Sequence, residues 1–191
     1  MNFKTYDILS SLVPGFLALI VLLNAIDVNF DKDLILVYTA ASFLLGYILN
    51  TLGSWMEGFY FFTWRGKPSS KLLNTNGPWK VRFYESAKAK ALLQADSANT
   101  SAKDSELFAI AMRQANGNAR VDDFNAIYAF SRTLLTTVLL GSAILIIHNY
   151  NDWRYYAILL PSIFICWLRC KQRAYYYARE VLNVYIKSKN P

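Results

Sequence analysis

Long uncharged stretches are the feature of this 191-residue chain that most constrains its fold. They are Ile8–Ile26, Leu34–Met56, Thr133–Asn151 and Tyr155–Leu168, with 19, 23, 19 and 14 residues. A bilayer core about 30 Å thick requires about 20 mostly apolar helical residues to cross it. A composition that is 54% hydrophobic would also suit a soluble domain. The clustering of the apolar residues instead predicts a multi-pass membrane protein.

The fourth stretch is the shortest, yet we expect it to cross the bilayer as well. Its fourteen helical residues cover about 21 Å. Arg154 and Arg169 flank it, and their long side chains can extend to the two interfaces while the bilayer thins locally. Pro161 predicts a kink within it. The four predicted spans are residues 8–26, 34–56, 131–149 and 155–168.

The distribution of charge predicts the orientation. Lys and Arg near the ends of spans collect on the cytoplasmic side. The segments Asp27–Asp33 and Asn149–Arg154 have net charges of −2 and zero, whereas Glu57–Arg132 has +4 and the tail from Arg169 has +5. Both termini and the central segment are therefore predicted to be cytoplasmic.

The predicted layout is all-α. It consists of an N-terminal transmembrane hairpin (1–64), a cytoplasmic helical insert (65–128), a C-terminal transmembrane hairpin (129–170) and a basic helical tail (171–191). The four spans are expected to form a helical bundle that assembles as a homo-oligomer. No repeat or low-complexity tract interrupts this layout.

The insert carries a helical pattern of apolar residues. A first helix is predicted from Trp79, a second over Ser105–Asn116 with Asp104 as its N-cap, and a third from near Asp122 into span three. The predicted apolar face of the first helix is Val81, Tyr84, Ala87, Ala91 and Ala95. The insert is too small to bury a core of its own, so we expect it to pack against the extensions of spans three and four or against a partner.

Small and polar residues form a stripe on span two and another on span three. The two stripes are Ser42, Gly46, Asn50 and Gly53, and Thr133, Thr137 and Gly141. Small residues let two helices approach closely in a membrane. The stripes therefore predict either packing within one four-helix unit or the lining of an oligomer seam or pore.

Glu57 and Arg132 bracket the inner ends of spans two and three. Opposite charges at these positions can pair at the cytoplasmic interface and act as a gate or clamp. The alternative is that each is an independent interfacial charge. The sequence leaves both interpretations open.

The predicted cytoplasmic surface is basic, which suits an anionic nucleotide or nucleic acid, or a soluble protein partner. Arginine beside tyrosine offers both charge and a stacking ring to such a ligand. The simpler interpretation is that the excess reflects orientation and attraction to anionic lipid. The candidate residues are Lys80, Arg82, Lys88, Lys90, Arg113, Arg120, Arg173, Tyr176 and Arg179.

Catalytic and metal-binding signals are few. His148 is the single histidine, with Asp152 nearby, and it suits either an external proton or metal site or an interfacial ring. Cys166 and Cys170 lie one helical turn apart, a spacing that suits packed, reduced thiols. No phosphate-binding loop or nucleophile triad can be assembled. We expect no enzymatic activity, no metal and no cofactor.

Three segments resemble parts of small multi-pass bacterial inner-membrane proteins. They are Thr5–Gly15, Phe124–Arg132 and Tyr177–Glu180. Proteins of that kind occur as accessories or effectors in anti-phage defence loci, including loci with RNA-targeting CRISPR nucleases. The resemblance implies membrane permeabilisation or sensing beside a cytoplasmic partner. The Arg-x4-6-His motif of RNase-type accessories has no match in this chain.

Two functions follow as expectations. The first is an oligomeric regulated pore or membrane-disrupting effector in phage defence, with the stripe of span two lining or sealing it. The second is a non-conducting membrane scaffold or sensor whose basic insert and tail recruit a soluble cytoplasmic partner.

Overall fold

The computed structural model describes residues 5–74, 77, 81–97 and 101–189, and all regular secondary structure in these ranges is helical. The α-helices are α1 (Thr5–Ala25), α2 (Ile35–Trp55), α3 (Glu57–Thr63), α4 (Pro68–Leu73), α5 (Ser86–Asp96), α6 (Asp104–Gln114), α7 (Ala119–His148) and α8 (Trp153–Lys189). A 3-10 turn, Lys32–Leu34, precedes α2. The all-α prediction is confirmed for the described residues.

Two helical segments are long and apolar enough to cross a membrane. They are Lys32–Trp55, which joins the 3-10 turn to α2, and Ala119–His148, which is α7. The apolar part of α1, Ser10–Ala25, is shorter. α8 is 37 residues long, contains the fourth predicted span and continues past Pro161. The described residues therefore contain two candidate spans by length and composition, and the other two predicted spans remain predictions.

The chain divides into two compact units. The first, called the apolar unit below, comprises Met1–Glu57 and Ala129–Cys170. The second, called the basic unit below, comprises Gly58–Tyr128 and Lys171–Pro191. α7 and α8 contribute residues to both units.

Helices α1 and α2 of the apolar unit pack closely enough for their backbones to touch. A Cβ atom added to Gly15 would overlap the carbonyl oxygen of Ser42, and one added to Gly46 would overlap that of Ser11. In each helix the two small residues are four apart, so they lie on one face. The absence of side chains at the two glycines is what permits this approach.

The basic unit has its own apolar core. Helices α4, α5 and α6 and the C-terminal part of α8 supply it. Its most deeply buried side chains are Leu72, Val81, Leu93, Leu107, Tyr175, Val181, Leu182 and Tyr185. The insert and the tail therefore share one core, which explains how so short an insert can bury apolar surface.

Three polar contacts hold the tail within the basic unit. Tyr185 Oη donates to Asp96 Oδ2 at 2.7 Å, and Lys189 Nζ lies 2.7 Å from the same oxygen. Arg120 Nε lies 2.8 Å from Oε1 of Glu180, which is buried. The hydrogen bonds from Lys189 and Tyr185 hold the pKa of Asp96 below its ordinary value. Burial, followed by the bond to Asp96, raises the pKa of Tyr185.

The predicted apolar face of the first insert helix was wrong except at Val81, which is buried but precedes the helix. α5 begins at Ser86, and it buries Ala89 and Leu93, whereas Tyr84 is exposed and precedes the helix. Trp79 lies outside the described residues. A leucine buries more apolar area than an alanine, so Leu93 sets the orientation of this helix rather than the alanine repeat.

Two helix starts also differ from the prediction. Asp104 is the first residue of α6 and not its cap, and its carboxylate lies 3.3 Å from Lys90 Nζ. α7 begins at Ala119, three residues before Asp122. Asn118 Oδ1 accepts hydrogen bonds from the backbone N–H groups of Arg120 and Val121, so Asn118 caps α7.

Candidate functional site

A polar cluster lies between α2 and α7 in the apolar unit, and Arg132 is at its centre. Arg132 Nη2 lies 2.8 Å from Ser54 Oγ and 3.5 Å from Asn50 Oδ1, and its Nη1 lies 3.5 Å from Glu57 Oε1. Thr133 Oγ1 lies 3.1 Å from Asn50 Oδ1. The structure thus brings Glu57 and Arg132 together as an ion pair. Whether the pair gates anything remains a prediction.

Helical spacing explains how α2 builds its side of this cluster. Asn50, Ser54 and Glu57 follow one another at intervals of four and three residues, so they share a face from the end of α2 into α3. Ser54 Oγ also lies 3.1 Å from the carbonyl oxygen of Asn50. The Arg132 side chain is only 13% exposed. A guanidinium buried to this degree requires partners for its N–H donors, and this face provides them for Nη1 and Nη2.

The small-residue stripe of span two lies inside the apolar unit. Ser42, Gly46 and Gly53 are buried. Gly46 lies against the backbone of Ser11 in α1, whereas a Cβ on Gly53 would lie 2.9 Å from Thr136 Oγ1 in α7. The stripe therefore contacts two helices of the same chain.

The stripe of span three is likewise in contact with its own unit. Thr133 and Thr137 are buried, and each hydroxyl donates to the backbone carbonyl four residues earlier, at 3.0 and 2.9 Å. This local bond satisfies a hydroxyl in apolar surroundings. A Cβ on Gly141 would lie 3.4 Å from Val21 Cγ2 of α1. Both stripes thus serve intramolecular contacts in this structure.

Sequence reasoning missed Ser54, Thr136 and the contact at Gly15. Ser54 is four residues after Asn50 and three before Glu57, so the helical spacing could have revealed it. The small-x-x-x-small spacing from Ser11 to Gly15 was the signal for a close helix contact.

Only some residues of the predicted anionic-ligand surface lie close to one another. Lys90 and Arg120 pair with acidic side chains. Arg173 and Arg179 flank the ring of Tyr176, with guanidinium carbons 5.9 and 5.1 Å from its centre. Arg82, Lys88 and Arg113 are exposed on other parts of the basic unit, and Lys80 lies outside the described residues.

The predicted thiol and histidine positions form no metal site. Cys166 is half-buried and Cys170 is buried, and both are free thiols. In the part of the chain that the structure describes, no group of three or more His, Cys, Asp or Glu side chains could hold a metal ion. His148 is the last residue of α7.

Comparison of the chain with protein-family models, with curated proteins and with solved structures yields no match.

Proposed function

We propose that this chain is a four-span inner-membrane scaffold or sensor that does not conduct and that presents its basic unit to a soluble cytoplasmic partner. The observation that carries the proposal is the direction of the side chains in the apolar unit. The small and polar residues of the two stripes are buried in the unit, apart from the half-buried Asn50, whereas many of its large apolar residues are exposed. A water-filled path would require a polar or small-residue face in contact with it.

The exposed side chains of α1 and α8 support the two further spans. Val13, Leu17 and Ile20 of α1 are 42–47% exposed, and Ile158 and Ile165 of α8 are 67% and 64% exposed. Soluble monomers rarely expose contiguous apolar patches of this kind. Lipid around all four helices accounts for this surface.

The same pattern holds on α2, which is one of the two candidate spans. Leu36, Leu44 and Tyr47 are 83%, 60% and 65% exposed. The side of α2 that carries Ser42 and Gly46 is buried. An apolar outer face and a small-residue inner face are typical of a helix packed inside a membrane bundle.

The basic unit supports recruitment of an acidic or anionic partner. It has its own apolar core, and it carries exposed cations at Arg82, Lys88 and Arg113. The excess of positive charge in its sequence supports a cytoplasmic location, because Lys and Arg near span ends collect on that side.

Leakage from liposomes tests the proposal. Purified protein is reconstituted into dye-loaded liposomes, with empty liposomes and a pore-forming peptide as controls. The scaffold predicts no leakage above empty liposomes, with or without added nucleotides. Leakage that increases with the amount of protein would refute the scaffold and favour a pore.

A regulated pore or membrane-disrupting effector is the second candidate, and the Glu57–Arg132 ion pair is what favours it. An ion pair at the end of an apolar bundle is costly, and such groups are commonly functional. If the pair is a gate, Glu57→Arg and Arg132→Glu should each change the leakage, and the double exchange should restore it. Failure of the double exchange to restore the wild-type value would exclude the gate.

A further inference from the structure

A surface cavity in the basic unit combines aromatic and cationic side chains. It lies at α3 and the loop that follows, with a volume of about 660 Å³ and mainly apolar walls. Phe61 and Phe62 contribute the rings, and Arg65 and Lys67 contribute the cations. Gly66 lies between the two cations and adds no side chain, which keeps the cavity open.

Helix α3 presents aromatic rings to its surroundings. Tyr60 and Trp64, four residues apart, are each 1% exposed and fix the inner face of this segment. Phe59 and Phe62 consequently point outward and are 56% and 81% exposed. Exposed aromatic rings beside cations are characteristic of segments that lie at the surface of a membrane.

Arg65 occupies a backbone conformation that favours glycine. Its φ is +60°, in the left-handed region. The N–H of Gly66 donates to the carbonyl of Phe61 at 2.9 Å, and the N–H of Arg65 donates to the carbonyl of Phe62 at 3.0 Å. This is the Schellman motif that ends many helices, and the position that Arg65 occupies in it is usually a glycine. An arginine at a position where glycine is less strained points to a use for its side chain.

The cations at this site belong to one short segment, Arg65–Lys71. In the described ranges, Arg65, Lys67 and Lys71 form no ion pair. Lys71 Nζ instead donates to the carbonyl oxygen of Trp64 at 3.1 Å. Burial, with the nearby charges of Lys71 and Arg65, lowers the pKa of Lys171. Such a concentration of positive charge favours a bound anion.

We propose that this cavity binds an anionic phospholipid of the cytoplasmic leaflet, with the phosphate held by Arg65 and Lys67 and an acyl chain against Phe61 and Phe62. This inference rests on the membrane location given under the proposed function. The cationic rim and the aromatic wall match the two chemically different parts of such a lipid. A soluble phosphate would use the rim alone and leave the aromatic wall exposed.

Lipid titration of the full chain in detergent tests this inference. The midpoint of thermal unfolding is followed as phosphatidylglycerol or phosphatidylcholine is added, because a ligand of the folded state raises that midpoint. The test variant is Arg65→Gly/Lys67→Gln, in which glycine suits the backbone at position 65. We expect its affinity for phosphatidylglycerol to fall about 25-fold, from about fivefold for each cation, with phosphatidylcholine unaffected.

Two control variants separate this site from diffuse charge. Arg65→Lys keeps the cation and should retain the preference for phosphatidylglycerol. Lys88→Gln removes an exposed cation from α5, which does not line the cavity, and should also retain it.

Several results would overturn the inference. They are an unchanged phosphatidylglycerol affinity in the double variant, an equal loss in Lys88→Gln, and displacement of the lipid by an equal concentration of inorganic phosphate. A wild-type chain that inserts into bilayers without preferring phosphatidylglycerol would refute the lipid site alone. A chain that stays monodisperse without detergent would refute the membrane function as well.

Discussion

Substitution of Gly46 by alanine should destabilise the apolar unit. The added methyl group would overlap the carbonyl oxygen of Ser11 and lie 2.6 Å from its carbonyl carbon and 3.0 Å from its Cα. Carbon atoms that are not bonded prefer about 3.5–4.0 Å, so α1 and α2 must separate by about 1 Å. The obstacle is backbone, which cannot change rotamer.

The magnitude follows from two opposing terms. Overpacking of this kind costs about 3 kcal/mol, the upper end of the usual range, because no side chain can yield. Replacing glycine by alanine inside a helix returns about 1 kcal/mol. The net loss of about 2 kcal/mol corresponds to a midpoint of thermal unfolding about 4–8 °C lower for a chain of this size.

Gly58→Ala is the matched control for this measurement. Gly58 lies inside α3, and a Cβ there would meet nothing within 4 Å. Thermal unfolding in detergent should therefore show this variant at or above the wild-type midpoint. Gly46→Ala combined with Ser11→Gly should stay destabilised, because the colliding atoms belong to the Ser11 backbone. The reasoning fails if Gly46→Ala unfolds at the wild-type temperature or if Ser11→Gly rescues it.

Two further substitutions test the polar contacts. Ser54→Ala removes the 2.8 Å contact with Arg132 and should cost about 1.5–3 kcal/mol of unfolding free energy, measured by denaturation in detergent. Thr51→Ala, whose hydroxyl bonds to the carbonyl of Tyr47, is its control, and an equal loss in both variants would contradict the role given to Ser54. The pKa of Asp96 in the folded state lies below its ordinary value of 3.8. The ionised carboxylate therefore stabilises the fold above about pH 3.8, and this contribution is lost as the pH falls through the folded-state pKa. Asp96→Asn should therefore show a smaller loss of thermal stability than the wild type as the pH falls from about 5 to 3, and identical pH profiles would refute the assignment.

The all-helical class and the two candidate spans could be predicted from the order of the residues. An uncharged stretch of about 20 residues has few stable solutions other than a helix, because backbone N–H and C=O groups in lipid require partners within the segment. The pairing of Glu57 with Arg132 was also accessible as one of two alternatives, since both residues lie at the ends of long apolar stretches on the same predicted side.

Helix packing could be predicted from the sequence only where the contacting residues follow the helical repeat. Ser54 lies on the face that the helical repeat assigns to Asn50, yet its role required the position of Arg132 on another helix. The positions of the alanines in α5 do not identify which face of the helix is buried. Several faces of that helix carry small apolar residues, and the burial of Leu93 against the rest of the basic unit selects among them.

Local chemistry thus decided which segments of this chain are helical and which could enter lipid, because backbone satisfaction and charge act within a single segment. Tertiary contacts decided that Gly15 and Gly46 touch backbone and that Asp96 binds the tail. These outcomes depend on residues far apart in the chain. Their distances are determined only when the whole set of helices packs at once.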